Sequence, residues 1–347
     1  MSKSNQIKAM MSVGAGQLEK SLEILISRGL VPFVKASPGR GKSAIVASFA
    51  DNHNLKLIDV RLSMMEPTDF MGLPFRVGDK SQFLPFDLLP LEGDPIPSGY
   101  DGWCILLDEF THAEPEMIRA SYKLILDRMV GGNKLHERAV IVLAGNSSDD
   151  NALANNVGTA LNSRVTHIEL KSDPDYWMQH VAPQLDIDHR IVGFIAHNKD
   201  KLNDFDPEQD EHSFCSERTW EFVSNLIKDD TDIPAIKAPL VAGTISPGVA
   251  AEFLKFCEIY STLNSLDDIL KNPTTIDLPD NSQKSWATVT WLTRQADASN
   301  VDAIAQYISR MSIQFSVIFI RLLDRKLITG NAPALMSLLS RVGKAIY

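Results

Sequence analysis

The run Ser37-Pro38-Gly39-Arg40-Gly41-Lys42-Ser43 constrains this chain more than any other feature. A β-like run, Leu30 to Ala36, precedes it, and a helical pattern from Ala44 to Ala50 follows it. A turn of small residues between a strand and a helix aims consecutive backbone N–H groups at one point, and the helix N-terminus adds positive potential there. That arrangement suits a triphosphate. Lys42 is placed to reach the β- and γ-phosphates, and the Ser43 hydroxyl to ligate Mg²⁺. Ser37, Pro38, Gly39, Arg40, Gly41, Lys42 and Ser43 are therefore the expected ATP-binding residues. The usual pattern, GxxxxGK[ST], begins with Gly where this chain has Ala36, and a positive φ there would strain an alanine.

Further strand-like runs lie at Leu55–Leu62, Trp103–Leu107, Ala139–Ala144 and Val165–Leu170, with helical patterns between them, including Leu18–Arg28 and Pro115–Met129. Strands alternating with helices predict an α/β fold, a parallel five-stranded sheet covered on both faces in an αβα sandwich. The stretch Ser63–Asp101 shows no clear period, and a loop of that length inside a compact domain is usually functional. After Leu170 the β signals fade and helical patterns continue to about Tyr260, interrupted by an acidic segment from Asp200 to Glu211. From Val301 to Leu322 apolar residues step by three or four, predicting one long amphipathic helix capped by Ser299 or Asn300, and a last helix is expected from Pro333 toward Ile346. The domains read as 1–172 (core), 173–260 (helical lid) and 261–347 (C-terminal helical extension).

Trp103-Cys-Ile-Leu-Leu-Asp108-Glu109 predicts a buried strand that delivers two carboxylates to its C-terminal edge, where ligands of open α/β sheets bind. Asp108 would hold Mg²⁺ through water and Glu109 would polarise the attacking water as general base. Taken alone, this pair reads better as a strand end capped by solvated acids. Its place 66 residues after Lys42, on the next core strand but one, favours the catalytic reading.

Length and composition exclude several classes. The 347 residues exceed one ordinary core. With 34 basic against 44 acidic residues the net charge is −10, a poor basis for nonspecific binding to nucleic acid or anionic membrane. The acidity is uneven: residues 301–347 carry six basic and two acidic side chains, a net of +4. Cys104, Cys215 and Cys257 are scattered, which argues against a disulfide framework or a zinc cluster. No apolar run approaches the ~20 residues of a membrane span, and residues 1–16 lack the apolar stretch of a secretory leader. A cytoplasmic location is expected.

Leu107-Asp-Glu-Phe-Thr-His-Ala-Glu-Pro-Glu-Met117 resembles the Walker B region of AAA+ ATPases of the MoxR branch. The likeness continues through Asp127-Arg-Met-Val-Gly-Gly132, Val140-Ile-Val-Leu-Ala-Gly-Asn146 and Ala160-Leu-Asn-Ser-Arg164, then Phe214-Cys-Ser-Glu-Arg218-Thr-Trp220, and Glu66–Pro74 resembles the lead into that family's helix-2 insert. It spans roughly residues 15 to 260 with every element in order. The resemblance implies that Asn146 is the sensor-1 residue positioning the lytic water. It makes Arg164 the arginine finger offered to a neighbour's γ-phosphate, and Arg218 the sensor-2 arginine of the lid. His112 stands where the family commonly has Arg. Trp177 and Trp220 are expected in the lid core.

The resemblance further implies a ring oligomer, a hexamer, that hydrolyses ATP with Mg²⁺ and remodels a protein partner, often one with a von Willebrand A-type domain. The main alternative is an ATP-driven motor or loader on DNA, which the −10 charge disfavours. A nucleotide-gated scaffold would not need Glu109 and Arg164, and a small-molecule P-loop kinase has no use for sensor elements.

Overall fold

The computed structural model describes residues 12–147, 159–208, 212–328 and 332–346. Most of the stretch read for a leader (residues 1–11) lies outside the described residues, as do 209–211 at the end of the acidic segment. The chain divides into two compact units, Met1–Ser172 with Phe205–Gln209, and Asp173–Asp204 with Asp210–Tyr347.

In the first unit the strands run β1 (Ser12–Val13), β2 (Val31–Lys35), β3 (Leu55–Arg61), β4 (Leu73–Val77), β5 (Lys80–Leu84), β6 (Gly102–Asp108), β7 (Met129–Val130), β8 (Asn133–Lys134), β9 (Ala139–Gly145) and β10 (Val165–Leu170). Six form one sheet in the order β1-β10-β2-β9-β6-β3, with every neighbouring pair parallel. The sheet therefore has one strand more than expected. β1 is only two residues, paired Ser12↔Glu169 and Val13↔Leu170, too short to leave a periodic signal.

Side-chain alternation along the central strands feeds two cores. Phe33, Ile105, Leu107, Ile141 and Leu143 face one side with Met117, Ile118 and Leu124 of a helix at Pro115–Asp127. Val34, Cys104, Leu106, Val142 and Ala144 face the other, against Leu18 and Leu22 of α1 (Ala15–Ser27) and Val46 and Phe49 of α2 (Lys42–Asn52). This two-sided burial is why those strands read as unbroken apolar runs.

The first half of the stretch read as an aperiodic loop is structured, and residues 85–101 carry no helix or longer strand. It opens with a capped helix, α3 (Pro67–Met71), whose N-cap Glu66 and Asp69 form a reciprocal capping box. The antiparallel hairpin β4–β5 follows, closed by Gly78 and Asp79 with Gly78 at φ +61°. Pro74 inside β4 masked the alternation of Leu73, Phe75 and Val77, because proline argues against a strand interior. Gly72 is required at the hinge: its φ is +83°, and a Cβ there would lie 2.2 Å from the Leu84 carbonyl oxygen.

The second unit is helical. Helix α4 is the Pro115–Asp127 element of the first unit; the second unit adds α5 (His189–His197), α6 (Glu217–Ile227), α7 (Pro247–Cys257), α8 (Ser282–Gln295), α9 (Val301–Ser309), α10 (Ile313–Leu322) and α11 (Pro333–Ile346). Trp177 and Trp220 are core residues, with Trp220 wedged against Phe194 and Phe253 and its indole N–H donating to the Lys201 carbonyl at 2.9 Å. Helix α8 gives Ala287 to this core and Val289 and Leu292 to a second one, shared with α9, α10 and α11. α5 and α8 approach closely at Gly193, where a Cβ would meet the Thr290 hydroxyl at 2.7 Å.

The predicted helix from Val301 to Leu322 is two helices, α9 and α10. Arg310 and Met311 close α9 with three-residue hydrogen bonds to Tyr307 and Ile308, and Ser312 adopts an extended conformation that starts α10. The apolar stripe is continuous in sequence, so periodicity alone cannot see the break. Neither Ser299 nor Asn300 caps α9 with its side chain; Asp297 instead accepts the N–H groups of both.

Candidate functional site

β2 ends at Lys35, and the chain turns through Ser37–Gly41 into α2. Gly39 and Gly41 take φ of +77° and +70°, values that favour glycine. Gly41 is the N-cap of α2, and no side chain caps that end, so its first N–H groups face the turn. Ala36 is fully buried and absent from the residues with positive φ, and its N–H donates to the Gly145 carbonyl at 3.2 Å. Alanine therefore sits there without strain.

Lys42 is 8% exposed, and its Nζ donates to the carbonyls of Ala36 (2.9 Å) and Ser37 (3.4 Å) and to Asn146 Oδ1 (3.2 Å). Ser43 Oγ donates to Asp108 Oδ2 at 2.5 Å. Arg40 reaches sideways to the Leu170 carbonyl at 3.3 Å. This is a P-loop αβα sandwich. The P-loop thus lies at the C-terminal edge of the parallel sheet, where β2, β6 and β9 deliver Lys35, Asp108 and Gly145.

Glu109, the first residue past β6, has φ +55° and ψ +28°. A glutamate in the left-handed region is strained, and such strain collects at functional sites. The turn is held by the Glu109 N–H donating to Asp108 Oδ1 at 2.7 Å. The Glu109 carboxylate accepts a hydrogen bond from Ser63 Oγ, just past β3. Asn146 is held in turn by its N–H donating to Thr111 Oγ1 at 3.0 Å. On β3, Asp59 has its pKa raised by partial burial and by Asp108 and Glu109, against the lowering effect of Arg61.

The fold thus brings Lys42, Ser43, Asp108, Glu109 and Asn146 together. Arg164 is not brought to them. It is exposed and precedes β10, at the opposite end of a strand whose six residues span roughly 20 Å. Arg218 is exposed in the first turn of α6, in the second unit, where Ser216 and Thr219 cap the helix. His112 is half-buried, its Nδ1 3.4 Å from the Thr111 hydroxyl. Ser63, Thr111 and Asp59 escaped the sequence reading. The signal for Ser63 was available in its position, a polar residue just past the end of a core strand as Asn146 is.

The residues fit an anion with a divalent cation. A buried lysine beside an uncapped helix N-terminus suits phosphate. Among the described residues no group of three His, Cys, Asp or Glu could cage a metal. The oxygens of Ser43 and Asp108 suffice for Mg²⁺, which takes few protein ligands and keeps waters and phosphates for the rest. Among the described residues no helix is long and apolar enough to cross a membrane.

No protein-family model matches the sequence, and no curated protein matches it. Solved structures do resemble the fold. A point mutant of RuvB from Thermotoga maritima is 15% identical over 76% of this chain and 77% of its own, with a TM-score of 0.40. The RuvB Holliday junction branch migration motor of the same organism is 16% identical over 75% of each chain, at a TM-score of 0.34. A Cytophaga hutchinsonii protein provisionally described as an ATPase is 13% identical over 96% of this chain and 91% of its own, at a TM-score of 0.35. At these identities and scores none of the three decides function.

Proposed function

We propose that the chain is a Mg²⁺-dependent ATP hydrolase of the AAA+ type, close to the MoxR branch. The observation that carries this reading is the convergence of Lys42, Ser43, Asp108, Glu109 and Asn146 at one sheet edge, around the uncapped end of α2. In it, the P-loop N–H groups and Lys42 bind the β- and γ-phosphates. Ser43 and Asp108 hold Mg²⁺, which when bound neutralises charge between the phosphates. Glu109 polarises the attacking water, and Asn146 positions it.

Arg164 lies too far from Lys42 in the same chain to touch the same phosphate, which supports its acting on a neighbouring subunit and hence a ring, a hexamer in this reading. Arg218 would join from the lid. The exposed apolar hairpin, with Leu73, Phe75, Val77 and Leu84 each more than half exposed, supports contact with a protein partner, one with a von Willebrand A-type domain in this reading. A cytoplasmic setting belongs to the same reading.

The test is to capture partners with the Glu109→Gln protein loaded with ATP and Mg²⁺. A protein held with ATP and released with ADP is the expected result. If captured material is nucleic acid, and duplex DNA stimulates hydrolysis with a steep salt dependence, the motor reading replaces the protein remodeller. Absence of Mg²⁺-dependent ATP hydrolysis in the unaltered protein would remove both.

A further inference from the structure

The second unit contains a cavity of about 590 Å³, bounded by the helical segment Met178–Gln184, by α5, and by the C-terminal ends of α8 and α10. Its volume lies within the ~300–1,000 Å³ of small-molecule sites. Ile187, Val192 and Leu322 supply apolar wall, while Arg294, Arg321 and Arg325 line the same cavity. In a chain of net charge −10 this is an unusual concentration of cations. The cavity is lined by a single acid, Asp324, whose carboxylate is engaged by the Lys326 N–H at 2.9 Å.

Arg294 is already paired with Asp186. Arg321 and Arg325 have no acid or carbonyl partner among the described residues. Arg294 and Arg321 occupy the last turns of α8 and α10, where a cation also stabilises the helix. His189, on the cavity wall, contributes no charge. Burial and the charges of Arg190 and Arg294 hold its pKa down to about 4 against the pull of Asp188. A neutral imidazole there offers hydrogen bonding without competing for an anion.

Guanidinium groups match phosphate oxygens with paired N–H donors, and two that lack an internal partner favour a dianion over a monoanion. We propose that this cavity binds a phosphate monoester of a small organic molecule, with Arg321 and Arg325 on the phosphate and the organic group against Ile187, Val192 and Leu322. This also gives a role to part of the basic excess of residues 301–347.

The test uses the full chain carrying Lys42→Ala, so that the P-loop does not contribute, with calorimetric titration of phenyl phosphate and of inorganic phosphate. Saturable binding of phenyl phosphate, tighter than that of inorganic phosphate, is expected. Adding Arg321→Gln and Arg325→Gln should weaken it by about tenfold or more, the equivalent of one lost charge-assisted contact. Adding Lys271→Gln and Lys344→Gln, exposed cations of the same unit away from the cavity, should leave it unchanged. Absence of saturable binding, equal loss in both pairs, or no loss in the arginine pair overturns the proposal. All four positions are exposed, and matching thermal melts exclude misfolding as the cause.

Discussion

Lys42 Nζ donates a hydrogen bond to Asn146 Oδ1 across 3.2 Å, although 104 residues separate them. Two adjacent parallel strands, β2 and β9, make that contact by ending at the same edge of the sheet. The Asn146 backbone N–H donates to Thr111 Oγ1, which fixes the main chain from which its side-chain amide reaches Lys42. Replacing Asn146 with Ala should leave ATP affinity within a few-fold but lower turnover by about 10²–10³, the usual effect of losing one preorganised polar group. Parallel measurements of nucleotide affinity and steady-state hydrolysis check this; equal loss in both would make Asn146 a binding residue only.

Glu109→Gln keeps the size and shape of the side chain but removes the carboxylate proposed as base. Turnover should fall by at least about 10²-fold, with ATP still bound. Single-turnover mixing with radiolabelled ATP separates the two steps. Unimpaired turnover would exclude Glu109 as base.

The hydroxyl of Ser63 occupies a lone pair of the carboxylate proposed to polarise water. Ser63→Ala should therefore raise nucleotide-only hydrolysis by a few-fold, since both carboxylate oxygens are then free to engage the attacking water. Measurement of basal ATPase activity decides the sign. A tenfold fall would mean that Ser63 aims Glu109 instead of restraining it.

In the second unit Arg190 grips Asp188 with Nε at 3.0 Å and Nη2 at 2.8 Å, both side chains about 4% exposed, and Nη2 also donates to the Ile227 carbonyl at 2.8 Å. Burial raises the Asp188 pKa, but the hydrogen bonds and the charge of Arg190 outweigh it and hold the carboxyl ionised. Arg190→Met should cost about 3–5 kcal/mol by stranding that carboxylate, and the double variant with Asp188→Asn should recover part of it. Denaturant titrations of the three proteins provide the values.

His189 makes stability depend on pH. Unfolded, the imidazole takes its proton near pH 6.5, whereas folded it does so only near 4. Between those values the unfolded chain binds more protons, so stability is full above about 6.5, falls as the pH is lowered through the window, and levels below about 4. His189→Asn should flatten this part of the curve. Thermal melts from pH 7 to pH 4 on both proteins measure the difference, and parallel curves would show that His189 is not its source.

The long core strands were legible because β2, β6 and β9 are buried on both faces and so read as continuous apolar runs. The hairpin β4–β5 was not, because Pro74 interrupts its alternation and its pairing is a long-range fact. Ser43 was legible in the P-loop run, Asp108 at the end of a strand-like run, and Asn146 through the family resemblance. Ser63 stands just past a strand end as Asn146 does, but its partner Glu109 is set only once β3 is laid beside β6.

Local sequence alone specified the P-loop and the parallel αβα core, and it named Lys42, Ser43, Asp108, Glu109 and Asn146, which the fold brings to one sheet edge. These follow from local chemistry: small residues that permit a tight turn, and apolar runs that must be buried. Only the tertiary structure decided which of those residues meet, that Ala36 is unstrained, that Val301–Leu322 breaks in two, and that Arg321 and Arg325 line one cavity with Arg294. Each of these depends on segments far apart in the chain, whose approach no local pattern encodes.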